Sequence, residues 1–144
     1  MSISKLLPKG PVNDPAHADV LLEIAFLMTA VDGRLEESEL TAFREIAARV
    51  TGRAATDIDP AHIVRRFSMM IDPEEIKNRV RAIAPKLPAD LRETAFKLSI
   101  GLALVDNDAS PLEDELVGIL FEALALDGDR AEALAAEVRA VFTA

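Results

Sequence analysis

Shifting the sequence by 74 residues lays one half of the chain on the other without a gap. Leu22 falls on Phe96, Phe26 on Ile100, Met28 on Leu102, Val31 on Val105, Asp32 on Asp106, Glu39 on Glu113, Phe43 on Val117, Ile46 on Leu120 and Val50 on Leu124. Residues 21–50 and 95–124 therefore read as two copies of one unit. Within each copy the apolar positions recur at helical spacing. Gly33 aligns with Asn107, and Gly and Asn are the residues that most readily take the left-handed conformation that ends a helix. Each copy thus reads as a buried helix, a tight corner and an amphipathic helix. A helix hairpin cannot bury its apolar face alone, so two of them pairing about a pseudo-twofold axis is the simplest expectation.

The rest of the chain is written in helix grammar as well. Four of the eight prolines directly follow a capping residue, in Asp14-Pro15, Asp59-Pro60, Asp72-Pro73 and Ser110-Pro111. In that pairing the cap oxygen takes a free N–H, and proline lacks a donor that had no partner. Glutamate three residues after the cap completes a capping box at Asp72–Glu75, Ser110–Glu113 and Asp129–Glu132. These signals predict helices over about 15–31, 36–51, 60–71, 73–84, 89–105, 111–126 and 130–142, with ends good to ~2–4 residues. The first and fifth, LLEIAFLMTAV from Leu21 and AFKLSIGLALV from Ala95, are apolar around most of their circumference and so are expected at the centre. The third and fourth would connect the two pairs. The fold class is all-α: about seven helices in a single domain, 1–144, built on two hairpins.

Composition narrows the setting. A chain of 144 residues can bury roughly 68–70% of its unfolded surface and needs no staple to fold. It has no cysteine, which excludes thiolate chemistry and Cys-based zinc sites and suits a reducing cytoplasm. No apolar run reaches the ~20 residues of a transmembrane helix, and no signal-peptide core is present. The net charge of −9 argues against nucleic acid, whose phosphates need Lys and Arg. The charge is uneven, however. Residues 61–97 hold eight bases and five acids, whereas residues 14–60 hold ten acids and four bases. If Arg65, Arg66, Lys77, Arg79, Arg81 and Lys86 formed one exposed patch, it would dock an acidic partner or an anionic membrane surface.

The corners themselves carry acids. Asp32 and Asp106 close the first helix of each copy, and Glu39 and Glu113 open the second. On one reading these are punctuation: capping glutamates and Asx-turns, with no ligand. On the other they hold a divalent cation. A carboxylate at a helix C-terminus faces the negative pole of the dipole, and Glu36 is not a good cap. The crowded acids at each corner repel one another unless a hard cation with oxygen ligands relieves them. The second corner is not an EF-hand, because Pro111 stands where the loop's Gly belongs and Val117 where its last Glu belongs.

A buried helix ending in Ala-Val-Asp-Gly, then Leu35, then Glu39 at the head of a second helix, resembles the TerB-like tellurite-resistance family. Val-Asp-Asn-Asp-Ala-Ser-Pro-Leu-Glu is similar to the same motif in a later repeat. The resemblance runs from about Asp19 to Leu126. It implies an all-α bundle of paired hairpins, a non-enzymatic role in tellurite resistance or general stress response, and metal chelation by Asp32, Glu39, Asp106 and Glu113. It also implies protein partners associated with membranes. The sequence departs from the pattern at Glu36, in place of a Ser or Thr cap, and at Asn107, in place of the second Gly. The tetrapeptide Asp-Pro-Ala-His occurs at 14–17 and 59–62, but in each case the Asp opens a helix as a cap, unlike the mid-helix ligands of di-iron bundles. No nucleophile–base pair and no phosphate-cradling loop is evident. The chain is expected not to be an enzyme. The alternative is a metal-free helical interaction module.

Overall fold

The computed structural model describes residues 12, 14–30, 37–52, 72–105 and 111–143. In chain order these form α1 (Pro15–Ala30), α2 (Glu37–Thr51), α3 (Pro73–Ile83), a 3-10 turn (Ala84–Lys86), α4 (Ala89–Val105), α5 (Pro111–Ala123) and α6 (Gly128–Thr143). Six α-helices and no strand occur among the described residues, so the all-helical expectation holds. The helix expected over 60–71 lies outside them, as do residues 31–36 and 106–110, where the two corners are expected.

Helix starts follow the capping chemistry of the sequence. Asp14 accepts the N–H of Ala16 through Oδ1 at 2.9 Å. Asp72, in extended backbone, accepts that of Glu74 at 3.0 Å, and Pro73 then opens α3. Asp72→Ala should lower the unfolding free energy by about 1 kcal/mol, read as a midpoint shift in urea. An unchanged midpoint would mean that water serves the Glu74 N–H equally well. The last helix corrects the sequence reading, because its cap is not Asp129 but Asp127. The Asp127 side chain accepts from Arg130 N at 3.2 Å and its carbonyl from Ala131 N at 2.8 Å. The helix therefore begins at Gly128, and Asp129 sits in its first turn.

Both helices of the second unit begin 74 residues after their counterparts, Ala89 after Pro15 and Pro111 after Glu37. Their far ends differ. α2 runs to Thr51 and closes on Gly52 at φ 76°, whereas α5 stops at Ala123, three residues short of the expected 126, and turns through Ala125 at φ 55°. α1 packs on α2 and α4 on α5, each pair with an aromatic contact between its helices. Phe26 and Phe43 meet edge-on at 6.1 Å and 83°, and Phe96 and Phe121 at 6.1 Å and 52°. The second pair occupies positions equivalent to Leu22 and Ala47, one turn further from the corner.

The core gathers around α1 and α4, as their all-round hydrophobicity predicts. Five consecutive residues of α1, Ile24 to Met28, are buried, which covers its whole circumference. α4 buries Ala95, Phe96, Leu98, Leu102 and Ala103 and packs most extensively on α1 and on α6. α3 is more than a connection. Its Ile76, Val80 and Ile83 are essentially inaccessible, and it lies against both α5 and α1. Val12 is tied to the end of α2, donating its N–H to Val50 O at 3.0 Å. On the opposite side of the molecule's economy of burial, Gly118 is exposed in mid-α5, and a Cβ there would meet nothing within 4 Å. Gly118→Ala should stabilise the protein by about 1 kcal/mol. A loss of stability would show that this face is covered in the folded protein.

Candidate functional site

The four corner acids are placed only in part. Glu39 and Glu113 are each the third residue of their helices, α2 and α5, so the repeat puts them in the same register within the first turn. Asp32 and Asp106 lie outside the described residues, and nothing of the Glu39 and Glu113 side chains is described. α1 does pack on α2, and α4 on α5. Among the described residues no group of three or more His, Asp or Glu side chains could hold a metal ion. The first Asp-Pro-Ala-His stretch behaves as a helix start. Asp14 caps α1, and His17 Nδ1 lies 3.7 Å from its Oδ2. The second stretch is outside the described residues.

Within the basic middle of the chain, Lys77 and Arg79 are both tied to carboxylates of the fold. α3 turns its apolar arc inward, and these two cations sit on either flank of that arc, about 160° apart on a helix of 3.6 residues per turn. Lys77 follows the inaccessible Ile76 and is itself only 7% exposed. Its aliphatic stem lies in the seam toward α5, and the ammonium emerges between two carboxylates. It donates to Glu115 Oε1 at 2.7 Å and to Glu74 Oε1 at 3.1 Å. The hydrogen bond to Glu115, and after it the one to Glu74, raises the Lys77 pKa above the ordinary lysine value. On the other flank Arg79 grips Glu23 of α1 with two nitrogens, Nε on Oε2 and Nη2 on Oε1, the latter at 2.9 Å. That carboxylate raises the Arg79 pKa further, and Glu23 is largely buried beneath it. Arg81 and Lys86 are exposed, Arg81 donating to Asn78 at 2.9 Å, while Arg65 and Arg66 lie outside the described residues.

Two further arrangements escaped the sequence reading. Arg92 of α4 donates to three carbonyls at once: Leu87 O at 2.7 Å, Pro85 O at 2.9 Å and Leu124 O at 3.3 Å. It so closes the orphan carbonyl ends of the 3-10 turn and of α5 together. Arg130 at the start of α6 pairs bidentately with Glu93 of α4 at 2.7 and 2.8 Å, and this contact holds the Glu93 carboxyl below its usual range. The sequence offers a partial signal for Lys77, a base adjoining Ile76 on the edge of an apolar arc. It offers none for Arg92, whose acceptors come from the 3-10 turn and, 32 residues away, from the end of α5.

No family model matches the chain, and no curated protein or solved structure matches it either. What the described residues define is a helical bundle in which Lys77, Arg79 and Arg130 are each paired with carboxylates of a neighbouring helix.

Proposed function

We propose that the chain is a non-enzymatic, TerB-like helical protein of tellurite resistance or general stress response. In this reading Asp32 with Glu39, and Asp106 with Glu113, each help to hold a divalent cation at a helix corner. The observation that supports it is the shared register: two hairpins whose helices start at the same 74-residue offset, with a glutamate third in each second helix. The pseudo-twofold relation of the hairpins belongs to the same proposal. Two carboxylates fill only part of a Ca²⁺ shell of about 6–8 oxygens, so neighbouring acids, helix-end carbonyls and water complete it, and binding is weak. No helix among the described residues is long and apolar enough to cross a membrane. A cytoplasmic location and a membrane-associated protein partner go with the family reading. Docking through the basic middle, the metal-free alternative, loses support because Lys77 and Arg79 are committed to Glu115, Glu74 and Glu23.

Titration calorimetry with Ca²⁺, Mg²⁺ and Zn²⁺ at millimolar concentration tests the proposal. Binding to the folded state alone should stabilise it by about 2.7 kcal/mol at a hundredfold excess over Kd. Asp106→Asn should weaken binding and leave the cation-free melting point unchanged or higher. Glu113→Gln is the contrasting variant, since Gln still serves in a capping box. If the wild type binds no cation, or if Asp106→Asn costs the cation-free protein about 1 kcal/mol as a lost cap would, the corners are punctuation.

A further inference from the structure

We draw no further inference here: the strongest candidate, the Lys77 ammonium held between Glu74 and Glu115 at the seam of α3 and α5, is satisfied by carboxylates of the fold itself.

Discussion

Leu27→Ala will destabilise the protein by about 2–5 kcal/mol, the range found when a fully buried leucine leaves a cavity. Leu27 is 0% exposed, within the stretch of α1 that is covered on all sides. α1 touches α2, α3, α4 and α5, so no single neighbour can slide inward to fill the space without losing contacts elsewhere. Against a total stability of about 5–15 kcal/mol for ordinary domains, such a loss is severe. It should appear as a lower urea midpoint with an unchanged slope, because the surface exposed on unfolding stays the same. Leu91→Ala, on the half-buried first turn of α4, should cost clearly less. Equal losses at the two positions would overturn the placement of α1 at the centre.

The second large effect is expected at Arg92. Arg92→Ala removes one side chain and leaves three carbonyls, on Pro85, Leu87 and Leu124, without their shared donor. Hydrogen bonds to a charged group contribute about 1.5–3 kcal/mol, and since water can reach part of this site the total loss should be near the value for one such bond rather than three. Arg92→Lys is the informative comparison. It keeps the positive charge, but one ammonium cannot span acceptors that a planar guanidinium reaches from three nitrogens. Stability measured by thermal melts should therefore rank wild type above Lys and Lys above Ala. If lysine restored the wild-type value, Arg92 would be acting only as a charge near a helix C-terminus.

Much of the architecture was legible because it is locally encoded. Asp14-Pro15 and Asp72-Pro73 each place cap oxygen, missing donor and first turn within a few residues, and both helices begin there. The central position of α1 and α4 follows from apolar residues on every side of the helix, a property no surface helix can keep. One error is local, and the other two fall where distant contacts decide. The sequence places the last cap at Asp129 with Glu132, yet Asp127 takes that place and the helix starts at Gly128. α5 was read three residues too long, since nothing in Leu-Ala-Leu announces that Ala125 adopts a positive φ beside a carbonyl held by Arg92. Nothing in the sequence pairs Lys77 with Glu115, which is 38 residues away. Of the candidate site, the sequence showed the spacing of the four acids, and the structure adds the helical register of Glu39 and Glu113.

The pairing of Lys77 and Arg79 has a consequence for how other molecules meet this protein in solution. An ammonium or guanidinium joined to a carboxylate presents a dipole to its surroundings, and a dipole's field fades faster with distance than a lone charge's. With screening over about 8 Å at physiological ionic strength, these two cations are invisible to anything that has not already touched the surface. The excess of bases between residues 61 and 97 is in that measure silent, and the chain's net charge of −9 sets the field felt at a distance. Polyanions are slowed on approach, and small cations are concentrated around the molecule before any of them finds a ligand.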